Sequence, residues 1–418
     1  MRRHRGRTGV LQHSIGVALA CALIAEPAAA ACRGAEGHAA DFGDRRVFLW
    51  SPDALAAARA GGAAEARRAV IARADAALAG PLYSVTAKTR TPPSGDKHDY
   101  MSMGPYWWPD PARPGGEPYI RRDGEVNPER DGAAFDVTAM SRMSEGVEAL
   151  ALAHFLTGEH RYAEKAAALV RAWFLDPATR MNPNTEFAQG VPGRTTGRAE
   201  GVLDTYRLIR VVEGVGLIQP SGAVTPAELA GLRTWFSDYV DWMGASKNGR
   251  EEAAAANNHA LWYDLQRAHF ALFAGRPDVA KAITTDFGPQ RLAAQVAADG
   301  SLPKELARTR ALHYTAFALQ AAAGVADLGA CVGVDVWGYA TADGRGLRRA
   351  TEFLASYVGR EAAFPFPERK PSPSDEMLET LARAARAYGD PALAKGAADV
   401  AQRRPASGLN VTVASHAR

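Results

Sequence analysis

The chain has 418 residues, 47% hydrophobic and 23% charged, with a formal net charge of +3. The whole excess lies in residues 1–31, where Arg2, Arg3, Arg5 and Arg7 outnumber the single acid Glu26, so the remainder is neutral overall. A neutral body excludes a general basic field for nucleic acid or a membrane surface, and any polyanion must be gripped locally.

The N-terminus has the layout of an export signal. The four arginines form a basic n-region, residues 10–24 are mostly apolar but short for a membrane span, and the alanines at 28–31 offer an A-x-A cleavage site. Residues 1–31 are therefore set apart as a Sec-type signal peptide, and 32–418 are expected to form one domain in the periplasm or outside the cell. Cys32 follows the alanines directly, which admits a lipoprotein reading. Alanine at position 29, where such a signal favours a larger aliphatic, argues against it. Three cysteines, Cys21, Cys32 and Cys331, build neither a disulfide framework nor a cysteine metal site. The expectation is a fold held by its core without disulfides.

Past the signal, apolar residues recur at helical spacing. Residues 54–78 form a first helical region, broken at Gly61-Gly62. Residues 137–156 bring Met140, Met143, Val147, Leu150 and Phe155 near one face, and 162–174 follow. The pattern returns at 202–217, 226–243, 258–273, 292–298, 312–328, 347–358 and 375–388. Thr225 and Pro226 make a good helix start, and alternating strands are scarce. Helices of roughly 15–20 residues on short connections imply stacked antiparallel pairs. Without a repeat of fixed period, the expected fold is all-α, a single (α/α) toroid or barrel.

Two segments interrupt the helices. Residues 86–131 are rich in Pro, Gly and aromatics, among them Tyr100, Tyr106, Trp107 and Trp108; residues 181–198 carry Gln189, Arg194 and Arg198. Loops this long are functional or disordered, and disorder lacks aromatics. The aromatic loop either plugs one mouth of the barrel or offers a carbohydrate platform.

The chemistry concentrates in residues 252–266 and 303–320. In the first, a helix from Asn258 puts His259, Trp262, Tyr263 and Gln266 on one face. Asn257 and Asn258 suit its N-terminus, where free N–H groups favour an anion such as a uronate carboxylate. In the second, Arg308, Arg310, His313 and Tyr314 precede an apolar run. This kit fits elimination across a uronate, in which the C5 proton leaves and the 4-O-linked sugar is expelled. Donors around the C6 carboxylate must absorb the charge of the enolate-like state, and Asn258, His259 and Arg308 suit that task. A tyrosine near positive charge can ionise below its usual value of about 10 and serve as base, acid or both. Taken singly, each of these residues has a structural reading too.

At these residues the sequence resembles the alginate lyase superfamily of helical-toroid polysaccharide lyases, in the bacterial group related to polysaccharide lyase families 5 and 38. The motifs KHDYMSMGPYWWPDP, QGVPGRTTGR, NNHALWYDLQ, the Arg308–Tyr314 pair and VDVWGYATADGRGLRRATEFL occur in a shared order along most of the chain. The resemblance implies an incomplete (α/α) toroid of antiparallel helix pairs with a tunnel or cleft. It implies Asn258 and His259 as carboxylate neutralisers, with His259 an alternative base. Arg308 becomes the main charge partner, Tyr314 the base, acid or both, and Glu252 an orienting acid for His259 or Arg308. Gln189, Arg194 and Arg198 would grip neighbouring uronates, and Tyr100, Tyr106, Trp107 and His98 would form the lid or platform, with Trp262 and Tyr263 beside them. The Arg308–Tyr314 gap and the surroundings of the Asn-His pair depart slightly from family 5, so the preferred uronate stays open.

The expected enzyme is thus a polysaccharide lyase cleaving an acidic polysaccharide such as alginate, polymannuronate or glucuronan. It is expected to need no cofactor and no metal, to bind no nucleic acid, to touch the membrane only during export, and to be a monomer. Two rivals remain. A glycoside hydrolase needs two carboxylates flanking the bond, and Asp99, Asp110, Glu252 and Asp264 are available. A non-catalytic polysaccharide-binding protein would keep Trp107 and Arg194 but not need Tyr314.

Overall fold

The computed structural model describes residues 47–369 and 373–413, besides Met1; the expected signal peptide lies outside them. The Gly61-Gly62 break separates α1 (Pro52–Arg59) from α2 (Ala64–Ala79), as the sequence suggests. Next come α3 (Val137–Thr157) and α4 (His160–Val170), the latter ending in a π turn at Arg171–Leu175. The region expected as one helix from 202 divides. Ala199–Arg207 is a tight 3-10 segment and only then does α5 (Leu208–Ile218) begin.

Helix α6 (Pro226–Ala245) starts on a full capping box, in which Thr225 and Glu228 satisfy each other's main-chain donors. Then follow α7 (Lys247–Ala253), α8 (Asn258–Phe273), α9 (Pro277–Phe287), α10 (Ala293–Gln295), α11 (Pro303–Leu306) and α12 (Ala311–Cys331). The chain closes with α13 (Leu347–Ala355), α14 (Asp375–Tyr388), α15 (Pro391–Arg403) and α16 (Leu409–Thr412). Sequence reading missed α7, α9, α11, α15 and α16. Helix α9 shows why: its Pro277 start is a good signal, but the run ends in Gly288-Pro289 and a π turn that blur the period.

Helices α3, α5, α8, α12 and α14 follow one another around the inner wall, and α2, α4, α6, α9, α13 and α15 back them. This is the expected incomplete (α/α) toroid. Nearly every residue of α8 and α12 is buried, as a helix apolar on all sides must be. The ring is closed through the short α16, which joins α14 to α1 and α2, and the Ser51 amide donates to the Thr412 carbonyl at 2.6 Å. The same N-terminal segment is pinned to the core. The amides of Phe48, Leu49 and Trp50 all donate to the carboxylate of Glu213, fully buried on α5, at 3.1–3.2 Å. His269 Nε2 lies 2.7 Å from the same carboxylate.

Cys331, at the end of α12, is disulfide-bonded, which corrects the expectation of a fold without disulfides. Its partner lies outside the described residues. Among the described residues no helix is long and apolar enough to cross a membrane.

The two interrupting segments form a cap. Strand β1 (Met101–Met103) pairs in parallel with β4 (Phe187–Gly190), while β2 (Trp107–Trp108) and β3 (Ile120–Arg121) form an antiparallel pair. Met101, Met103, Tyr119, Phe135 and Val191 make a small core of their own, with Trp107 and Phe187 against it. The aromatics that argued for order therefore do so by packing.

Candidate active site

Helix α8 begins where the asparagines placed it. Asn257 caps it by accepting the His259 amide. Asn258 is buried, and both its main-chain N–H and its Nδ2 donate to the carboxylate of Glu305, at 2.6 and 2.8 Å. The anion expected at this helix N-terminus is thus a side chain of the protein, not a substrate carboxylate. Burial pushes Glu305 above the usual carboxylate range, against the pull of Asn258, Arg308 and His259.

His259 Nδ1 lies 2.6 Å from Glu252 Oε1, and Glu252 is only 2% exposed while the imidazole keeps 19%. Glu252 comes from α7, so the bond spans the α7–α8 turn. Burial works to lower the imidazole, but Glu252 reverses this and the net shift is upward. With Nδ1–H donated to the carboxylate, Nε2 is the nitrogen left for a ligand.

Arg308 follows α11 and lies flat on Tyr314, its Cζ 3.8 Å from the ring centroid. Its Nε and Nη2 donate to Asp123 at 3.2 and 2.9 Å, and Arg121 shares that carboxylate. The Tyr314 hydroxyl meets the Tyr106 hydroxyl of the cap at 2.6 Å. Burial raises the Tyr314 phenol well above its ordinary value, Tyr106 adds to this, and Arg308 only partly offsets it. This corrects the expectation of a tyrosine ionised by its cation: desolvation outweighs the guanidinium.

The structure therefore brings Asn258, His259, Arg308, Tyr314, Glu252 and Tyr106 together. Beneath them Trp262, Phe317 and Tyr206 form an aromatic layer, with ring centroids 4.6–5.9 Å apart, and His313 stacks on Phe317.

Several expected substrate contacts are placed elsewhere. Tyr100 is fully buried and donates to Asp204. Gln189, 5% exposed at a backbone φ of +48°, spends its amide on Asp204 and Arg198. Trp262 is 3% exposed with its Nε1 donated to the Phe317 carbonyl, so it is floor rather than platform. Tyr263 points outward, its hydroxyl on the Met243 carbonyl, and borders a separate cavity of about 630 Å³ with Asp264 and Arg291. His98 Nδ1 contacts the Arg180 carbonyl. Within the cap, Arg194 and Arg198 both lie over Trp107, at 5.2 and 5.9 Å. Arg198 is also held by Glu200 and the Gln189 carbonyl, and Arg194 by the Tyr119 carbonyl.

The carboxylates that would serve hydrolysis are dispersed. Asp99 binds Ser94, Asn182 and Asn184, Asp264 pairs with Arg291, and Glu252 is committed to His259. Sequence reasoning missed Glu305 and Asp123. Glu305 carried a signal, standing third in a helical turn opened by Pro303 and three residues before Arg308. Asp123 carried none, because a 185-residue separation joins it to Arg308.

The alginate lyase family matches residues 84–364. An alginate lyase from Bacteroides ovatus shares 36% identity and a TM-score of 0.83, over 89% of this chain and 99% of that one. Alginate lyase A1-III from Sphingomonas species A1 shares the fold at 17% identity and a TM-score of 0.50, over 79% and 91% of the two chains. A variant of alginate lyase A1-III complexed with a tetrasaccharide does so at 16% identity and 0.54, over 84% and 94%. No curated protein matches the sequence.

Proposed function

The chain belongs to the alginate lyase family and is a polysaccharide lyase, and on that premise we propose that it cleaves a polyuronate by β-elimination. The substrate class is alginate, polymannuronate or glucuronan, and the products carry 4,5-unsaturated uronate ends. The observation that carries this reading is the Arg308 guanidinium stacked on the Tyr314 phenol, with Glu305 linking the turn that holds Arg308 to Asn258 at the start of α8, next to His259. That set has no task in hydrolysis. In elimination it has a definite one.

The C6 carboxylate docks against Arg308, His259 Nε2 and the second Nδ2 hydrogen of Asn258. These donors take up the charge that moves onto the carboxylate as C5 loses its proton. The C5–H electron pair forms the C4–C5 double bond, the C4–O4 bond breaks, and O4 takes a proton. Tyr314 rests as a neutral phenol, so it is suited to give that proton to O4, with Arg308 stacked on its ring to stabilise the tyrosinate that results. With His259 as the base at C5, its Nε2 starts unprotonated and Arg308 and Asn258 alone hold the carboxylate; with Tyr314 as the base, its ionised phenolate takes the C5 proton and passes it to O4. Glu252 holds the imidazole in place through Nδ1. Arg194 and Trp107 in the cap are positioned to meet a neighbouring sugar. Residues 1–31 support export to the periplasm or beyond, where such a polymer is met.

The test is absorbance at about 235 nm, from the conjugated enol ether, on polymannuronate, polyguluronate and glucuronan with a neutral glucan control. A rise on at least one polyuronate and none on the glucan is expected. New reducing ends without absorbance would indicate hydrolysis, and binding without either would indicate a lectin-like protein.

A further inference from the structure

Glu305 is 1% exposed, and a carboxylate taken out of water is costly unless its oxygens are well used. Here both oxygens go to one residue: Oε1 to the main-chain N–H of Asn258 and Oε2 to its Nδ2. Capping a helix needs one acceptor, so the second bond has another consequence. An ionised carboxylate only accepts, which fixes the Asn258 carboxamide with nitrogen toward Glu305. One Nδ2 hydrogen is consumed and the other keeps a single defined direction. On its main-chain side Glu305 accepts the Arg308 amide at 3.1 Å. One residue thus joins the two donors from separate elements, α8 and the turn after α11.

We propose that Glu305 is a positioning residue for the elimination: it orients the Asn258 carboxamide toward the substrate carboxylate and sets the spacing between Asn258 and Arg308. The proposal rests on the β-elimination reading above. Glu305 touches no substrate atom and acts through Asn258, so the two residues form one unit.

A mutant cycle tests this on the full-length enzyme with polymannuronate, or whichever polyuronate the absorbance screen selects. Glu305→Gln, Asn258→Ala and the double variant are compared for kcat, KM and thermal midpoint. Glu305→Gln places an amide hydrogen against one of the two donors and should lower kcat roughly 10- to 100-fold, the worth of one hydrogen bond to a charged group, with KM within about threefold. The double variant should be no slower than Asn258→Ala alone, within about threefold. Glu305→Asp, which keeps the charge, should recover part of the loss. If Glu305→Gln does not fold, Glu305→Asp takes its place in the cycle with the same expectation of non-additivity. Losses that multiply independently would overturn the proposal, as would a fall explained wholly by the folded fraction. A wild-type enzyme producing no unsaturated product would instead sink the polyuronate reading itself.

Discussion

The phenol of Tyr314 lies under the Tyr106 hydroxyl and against the Arg308 guanidinium, and burial holds its proton on despite that cation. His259 is also shifted upward, by Glu252 against the effect of burial. Both candidates for the base hold their protons to higher pH than they would in water, so their basic forms accumulate as pH rises. The expected profile of kcat/KM still rises with pH above the ordinary imidazole value of about 6.5. A profile already at its maximum near pH 6 would contradict the raised shifts of both groups. Asn258, His259, Arg308 and Tyr314 stood out in two short stretches of the sequence, but spacing left each of them a structural reading as well and their roles came from the family resemblance. The burial of Tyr100, Gln189 and Trp262 was not legible, since an aromatic or amide reads the same whether it faces a sugar or Asp204. The sign of the Tyr314 shift was equally hidden, because a neighbouring cation can be inferred from spacing whereas desolvation cannot.

Helix α7 exists to deliver Glu252, and its approach is set by a glycine. A Cβ on Gly249 would stand 1.9 Å from the Met243 carbonyl oxygen of α6, a backbone atom that cannot yield cheaply. Ser246 caps the helix by accepting the Gly249 amide, so the start of α7 has little freedom to retreat. Gly249→Ala should push α7 from α6 and draw Glu252 off His259. A displacement of about 1 Å in a catalytic group costs up to roughly 100-fold, and at least a tenfold loss in kcat is expected, with the acid limb of the pH profile moving down as His259 loses its carboxylate. Unchanged kcat and unchanged pH dependence would show that Glu252 does not act through this helix. Long helices with caps, such as α3, α6, α8 and α14, were readable almost to the residue. The cap strands were not, because β1 and β4 are 84 residues apart and each is too short to show a period.

At the scale of the whole molecule the ring is closed by the short α16 and the segment before α1 rather than by a pair of long helices. Glu213 anchors that closure by taking three successive amides and His269 at one buried carboxylate. Glu213→Gln puts a donor among donors and should cost about 3 kcal/mol or more in denaturant unfolding, while kcat of the folded protein stays within about twofold. A loss under about 0.5 kcal/mol would show that the N-terminal segment is not integral to the ring. The toroid class was legible from helix count and spacing. The seam and the disulfide at Cys331 were not, because they depend on contacts between distant parts of the chain. The ring presents the start of α8, the turn after α11 and the start of α12 to one place, and in the proposed elimination their donors surround a sugar acid while the Tyr314 phenol moves the proton. The most direct measurement is the turnover and oligosaccharide binding of Tyr314→Phe. A fall in kcat of at least about 100-fold is expected with binding retained, and a variant cleaving at close to the wild-type rate would contradict the role of Tyr314 in proton transfer.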